Sequence, residues 1–527
     1  VNSPNSIPSF TIPTKPCPAI TCASSSRRSS AGSALSKLFC CVEWLNSIEI
    51  QSFLWGKRER GSMSLLTMPR DRNWIGCIDF GTALSKAALV KRKVTSQLRE
   101  REIIPLPLRD GLSGNPVLLP SVIYLTDDAV LFGDEAAREA VRGEYRGRLA
   151  FSSPKQYLST QDTDSLDEAL EAEVDPTGSY TPRQLLVLFL AHLLSKAQTA
   201  AERAPAPWPV PLRLARPAWD RARARDGEKT LKGLLLCAFA VVDRLGDRLA
   251  APKGLPHDLA HRVLAEIIEL GLFAKLEQFD HVFESAPGTE SASILEANAV
   301  AAGLIRRTGR RVIVVADIGA GTSDFGAFMT GLAGNNVVGE IPQSSQILRQ
   351  AGDHLDMLLT RRILDEVGID PHDQAGKGAA RRLRSRQRAN KEALFTDGSV
   401  TVDLNDGTCT VTREEFLADK RVQEFTQNLR SKFHATLKVA IACARHFSPR
   451  NVQTPIEIVL TGGGNRLPMV TELSANPPLS WRYVEANREL TELLVNAPGM
   501  RAVERQLAVA VGGAVQYIPQ QTAPVHI

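Results

Sequence analysis

"RVIVVADIGAGTSDFGAFMT", residues 311–330, decides how the chain is read. An apolar run arrives at Asp317, and a tight turn carries Gly319, Gly321 and Thr322 to a second aspartate, Asp324. A strand that ends on a carboxylate and continues through small residues leaves backbone N–H groups unshielded. Such groups suit anionic oxygens, and paired aspartates suit a hydrated hard cation. The stretch points to phosphates and a metal ion held against a strand–turn–strand hairpin.

Far upstream the pattern returns. "WIGCIDFGTALSKAALV" (74–90) is again strand, aspartate, glycine turn and strand, with Asp79, Gly81 and Thr82 in the turn and Ser85 and Lys86 beyond. An echo at this distance predicts a duplicated α/β unit, two lobes each offering a hairpin to a shared cleft, the usual place for a ligand. A third motif, "IEIVLTGGGNRLPMV" (456–470), runs from an apolar strand into three glycines, and Pro468 opens a helix. Glycine admits close approach of backbone to a ligand, and a helix N-terminus favours anions. Between the motifs, "SVTVDLNDGTCTVT" (399–412) reads as a hairpin around Asn405, Asp406 and Gly407. Thr412 with Glu415 forms a capping box, and Thr181 before Pro182 starts another helix.

Bulk composition narrows the function classes. The 527 residues allow about three domain-sized units. At 43% hydrophobic and 23% charged the chain is an ordinary globular one, and a net charge of +5 does not argue for nucleic acid. Arg381, Arg384 and Arg388 share one helical face, which reads as solvated surface, and no aromatic residue interleaves with them to stack bases. The apolar run "LLVLFLAHLL" (185–194) is too short to span a bilayer and reads as a buried helix, so no membrane is implied. None of the eight cysteines has zinc spacing; those beyond residue 62 read as reduced core thiols of a cytoplasmic protein. His257 and His261, four apart, lack a third ligand.

Residues 1–62 show no periodicity and are rich in serine and proline. They read as a disordered extension upstream of a mis-called start, with Met63 and Met68 close to the first motif. A transit peptide is the alternative, because residues 1–42 contain no Asp or Glu.

The order of the three motifs resembles the actin-like ATPase (ribonuclease H-like) fold, and within it the nucleotide-binding domain of the 70-kDa heat-shock (DnaK-type) chaperones. The resemblance runs from about residue 74 to 516 and is poor near 200–290. It implies an α/β architecture of duplicated mixed sheets flanking a nucleotide cleft. It also implies lobe I over 63–309 with a helical, Arg-rich insertion at about 220–290, lobe II over 310–500, a closing helix over 501–518 and a tail over 519–527. By position, Asp79 matches the aspartate that holds hydrated magnesium, and Gly81 and Thr82 match its phosphate turn. "SSPKQYL" (152–158) places Lys155 at the catalytic lysine, and "ILEANAVAAGL" (294–304) places Glu296 at the active-site glutamate. Asp317, Gly319, Gly321, Thr322 and Asp324 match the second hairpin, with Asp317 the second metal-holding carboxylate through water. "AGDHLD" (351–356) retains Gly352 and Asp353 of a phosphate segment. Lys391 is the counterpart of a ribose-contacting lysine. Gly462, Gly463 and Arg466 match the adenosine motif.

This sequence also departs from the family. Ala83 and Leu84 replace a polar and an aromatic residue, Ala297 replaces proline, Ala320 interrupts a glycine run and Gly464 takes a serine position. Few residues follow Gln516, so no peptide-binding domain is expected. The implied activity is a slow, magnesium-dependent ATPase, converting ATP and water to ADP and phosphate. Its nucleotide-driven change would act on a separate protein partner, a co-chaperone or client, through the 220–290 segment. A small-molecule kinase and a nucleotide-dependent actin-like structural protein are the alternatives.

Overall fold

A computed structural model describes residues 64–92, 103–109, 115–143, 147–160, 163–204, 206–216, 219, 221–285, 291–304, 311–332, 337–404, 407–448, 453–485, 498–515 and 520–521. The expected disordered extension over 1–62, the tip of the 399–412 hairpin at Asn405 and Asp406, and most of the tail lie outside the described residues.

The deciding stretch forms two antiparallel strands, Arg311–Ile318 and Ser323–Leu332. Every residue of Arg311–Ile318 is buried, as a Val/Ile-rich run covered on both faces requires. Trp74–Asp79 is likewise buried along its whole length and pairs with Leu84–Lys91. The first strand of each hairpin has a parallel neighbour, Leu212–Arg216 beside Trp74–Asp79 and Ile456–Thr461 beside Arg311–Ile318.

Beyond those neighbours a further parallel strand follows, Ser293–Leu295 in one sheet and Tyr483–Glu485 in the other. Each second hairpin strand has an antiparallel partner on its far side, Ile103–Pro105 and Val337–Glu340. The same strand order thus occurs twice among the described residues, once in each of two mixed sheets. The echo read from two short motifs is a repeat of whole-sheet topology.

One core cluster joins the sheets to two helices, Glu296–Gly303 and Glu504–Gly513. It contains Cys77 and Ala88 from one sheet, Ile313, Val315 and Val459 from the other, and Ala299, Val300, Leu507 and Ala510 from the helices. These helices are built of Ala, Val and Gly because they pack at close range. A Cβ on Gly512 would lie 1.8 Å from the Ala299 carbonyl oxygen, well inside any permitted contact. A second cluster packs helices Gly352–Val367, Gln374–Asp397 and Lys420–Phe447 on the second sheet through Leu355, Leu359, Leu394, Phe425 and Phe433.

Several local expectations meet the structure directly. Thr181 caps helix Pro182–Arg203, and Leu185–Leu194 within it are all buried. No described helix is long and apolar enough to cross a membrane. The 399–412 hairpin forms, alternating exposed and buried residues as a half-solvated strand pair does. The Thr412–Glu415 capping box is present.

Two readings change. The helical segment at 220–290 contains helix Arg221–Leu245, but Leu231, Leu234, Leu235, Phe239 and Val241 of that helix are buried, so much of it builds core. The arginine face of Gln374–Asp397 is not simply solvated. Arg381 and Arg384 pair with Glu173, Arg384 approaches Glu171, and Arg388 reaches Asp353 and the Ala83 carbonyl. Sequence periodicity put the three arginines on one side of a helix, and tertiary packing supplied the acids.

Candidate functional site

Asp79 is the last residue of its strand and is 2% exposed; Asp317 comes one residue before the end of its strand and is 3% exposed. Hairpin register fixes what faces each of them. Across the first hairpin Asp79 stands opposite Lys86, whose Nζ donates to Asp79 Oδ2 at 2.6 Å. Across the second, Asp317 stands opposite Asp324. Asp317 Oδ1 accepts from the Thr461 hydroxyl at 2.9 Å, and Asp324 Oδ2 accepts from Thr322 at 2.8 Å.

The two turns approach each other. A Cβ on Gly321 would lie 3.0 Å from Thr82 Oγ1, so a side chain there would crowd the first turn. Gly81 is held far more closely within its own turn, where a Cβ would meet the Leu84 carbonyl oxygen at 2.0 Å. Gly319 donates to Thr322 O, and the start of helix Gly352–Val367 closes on this turn through Gly352 N to Gly319 O and Asp353 N to Ala320 O.

Lys155 precedes the short helix Gln156–Thr160 and is 3% exposed. It bonds Glu296, the first residue of its helix. Burial alone would lower the Lys155 ammonium, but the Glu296, Asp79 and Asp324 charges outweigh it and the pKa is raised. The Asp317 carboxyl is pushed up to about 8, first by burial and then by Glu296 and Asp324. Asp324 is pushed up to about 7 by burial and Glu296. Five of the expected residues, Asp79, Lys155, Glu296, Asp317 and Asp324, are therefore joined in one network of charge interactions, each acting on at least two of the others.

Their charges pair unevenly. Lys86 answers Asp79 and Lys155 answers Glu296. Asp317 and Asp324 have hydroxyl donors, and among the described residues neither has a cationic side chain bonded to it. Two buried carboxylates left over are what a divalent cation would neutralise. The donors are all oxygen, which suits magnesium. Among the described residues no three His, Cys, Asp or Glu side chains converge to cage an ion, so such a cation would be held largely through water.

The other expected residues divide. Gly462 has φ +81, and a Cβ there would lie 2.3 Å from the Ile318 carbonyl oxygen, so the glycine turn is seated against the strand that carries Asp317. Gly464 N donates to that same oxygen at 2.8 Å. Gly463 and Arg466 face outward, and Arg466 donates to Ala502 O. Lys391 donates to Gly352 O at 2.9 Å and to the buried Asp356 at 2.8 Å, so its ammonium is engaged by the protein at the second turn.

Sequence reasoning missed three residues here. Lys86 was visible only as a polar residue beyond the first turn; its signal is a spacing from Asp79 equal to that of Asp324 from Asp317. Ser153, at φ +55, and Gln156 both donate to Asp353 Oδ2, tying the segment around Lys155 to the helix that closes on the second turn. Those contacts have no local sequence signature.

The model of the Hsp70 protein family matches residues 295–476, consistent with a member of the 70-kDa heat-shock protein family. The matched stretch contains Glu296, both aspartates of the second hairpin, Gly352, Lys391 and the glycine turn with Arg466. No curated protein matches the chain.

Proposed function

We propose that this chain binds ATP between its two glycine hairpins and hydrolyses it slowly with magnesium, in the manner of the nucleotide-binding domain of a 70-kDa heat-shock protein. The observation that carries the reading is the buried Lys155–Glu296 pair within reach of Asp317 and Asp324. Members of the matched family are ATPases.

Phosphoryl transfer needs positioning and charge neutralisation more than covalent chemistry. Backbone N–H groups of the turns at Gly81–Thr82 and Gly319–Thr322 take the β- and γ-phosphate oxygens. Lys155 sets its ammonium against charge that develops on the γ-phosphoryl group, and Glu296 fixes where that ammonium points. Asp324 orients the attacking water. Asp317 and Asp324 hold the hydrated magnesium from the second hairpin; when bound, the ion neutralises phosphate charge and aligns the oxygens. The glycine turn at 462–464 carries the adenosine, and the exposed Arg466 would exchange its bond to Ala502 O for the base. Lys391, committed to Asp356, acts through the position of Gly352.

In this reading the repeated sheets are two lobes, and closing them shields the reaction from water. The proposed location is the cytoplasm, where the buried thiols of Cys77, Cys237, Cys409 and Cys443 stay reduced. The proposed partner is a protein that reads the nucleotide state. Only part of the 220–290 segment is available to it, and among its described residues Ile268 and Phe273 are the exposed large apolar ones.

Single-turnover hydrolysis of γ-labelled ATP by the full chain tests the proposal. Free phosphate should appear slowly with magnesium and be lost in Lys155→Ala and Asp317→Asn. Transfer of the label to an added acceptor instead of water would make the chain a kinase. Equal phosphate release by all three proteins would remove these residues from the reaction.

A further inference from the structure

The two hairpins share topology and differ in charge. At the position where the second hairpin places Asp324 opposite Asp317, the first places Lys86 opposite Asp79. The Lys86 side chain is 13% exposed and its ammonium lies 2.6 Å from the carboxylate. It also lies beside the phosphate turn, where a Cβ on Gly81 would be 3.5 Å from Lys86 Nζ. An ammonium has three N–H donors. One goes to Asp79, and the geometry sets the charge next to the unshielded turn.

At this position the first hairpin is charge-balanced by the Asp79–Lys86 pair, whereas the second places Asp317 and Asp324 there without a bonded cation among the described residues. A cation drawn to this site gains more from Asp317 and Asp324 than from a carboxylate that a lysine already neutralises. Charge-assisted hydrogen bonds of this kind are the stronger ones, so displacing Lys86 from Asp79 would cost the ion part of what it gains.

We propose that Lys86 is a built-in counter-cation of the phosphate turn: it takes the metal's place at Asp79 and meets phosphate oxygens itself, so that nucleotide binding survives removal of divalent metal. The inference rests on the nucleotide reading above. It takes Asp79 out of the metal site that the resemblance implied and makes it a positioning residue for Lys86.

The test is calorimetric titration of the full chain with ADP, once in magnesium and once in excess EDTA. Wild type should weaken by no more than about threefold without metal, whereas Lys86→Met should weaken by about tenfold or more, the value of one charge-assisted hydrogen bond. Lys86→Arg should keep most of the metal-independent binding. Far-UV circular dichroism establishes that each variant is folded. Should Lys86→Met fail to fold, Asp79→Asn replaces it, and its ADP affinity in EDTA should equal or exceed that of wild type.

Loss of wild-type affinity by more than about tenfold in EDTA overturns the inference and leaves the nucleotide reading standing, as does an unaffected Lys86→Met. Absence of ADP binding by wild type in magnesium takes both down.

Discussion

Lys155 and Glu296, 141 positions apart in sequence, form a bonded pair whose side chains are 4% and 14% exposed. Removing one partner strands the other's charge in a poorly solvated place. Lys155→Met should therefore destabilise the fold by about 3–5 kcal/mol. The double variant Lys155→Met/Glu296→Gln should cost less than the sum of the two single changes. Urea unfolding of the four proteins gives the coupling, and strict additivity would mean the pair is not made in solution.

Close packing of the two small-residue helices makes a separate prediction. Gly512→Val forces side-chain atoms toward the Ala299 carbonyl, where even a Cβ has no room. The expected cost is about 3 kcal/mol or more, because helix backbones must separate. An unchanged urea midpoint would show that Glu504–Gly513 does not sit against Glu296–Gly303 at this distance.

His281 and His354 make a contribution to the pH dependence whose sign is fixed. Both rings are held below the ordinary 6.5, chiefly by burial, although the hydrogen bond between His281 and Leu66 O works the other way for His281. The unfolded chain then binds protons that the folded chain resists. Their contribution to stability is whole above pH 6.5 and is lost as pH falls through the folded values. The histidines' share, read as the urea midpoint of wild type minus that of His281→Gln/His354→Gln, should shrink between pH 7 and about pH 5, while Asp317 and Asp324, pushed up to about 8 and about 7, work in the opposite direction. A midpoint that rises as pH falls, and does so through these histidines, would contradict the burial.

Burial also silences two thiols. Cys77 and Cys237 are pushed up to about 12, each mainly by desolvation. The thiolate is the reactive form, so both should resist iodoacetamide at about pH 8 until denaturant is added. Peptide-level mass spectrometry reads each site separately, and rapid native-state labelling of Cys77 would place it outside the core.

The fold was legible where chemistry constrains spacing. Asp79 and Asp317 end apolar runs, glycine follows each, and Pro468 marks the helix after the glycine turn, so three local signals in order were enough to read a mixed α/β chain with a repeated hairpin. The charge network was less legible because it depends on residues brought together from a distance. Asp356 holds Lys391 from 35 positions away, and Glu173 holds Arg381 from 208 positions away. Lys86 was within sight of the first turn, but its role needs the strand register that sets it against Asp79. The 220–290 segment looked like surface because its arginine-rich beginning masks the apolar half-helix that follows.

The central claim is that the two aspartate–glycine hairpins and the 462–464 turn together clasp a nucleotide. Hydrogen–deuterium exchange of the full chain with and without ATP and magnesium tests it residue by residue. Exchange should slow in peptides covering 79–86, 317–324 and 462–466, with little change in the pocket lined by Leu131, Arg138, Val141 and Pro252. Protection confined to that pocket, or absent from both hairpins while ATP is bound, would contradict it.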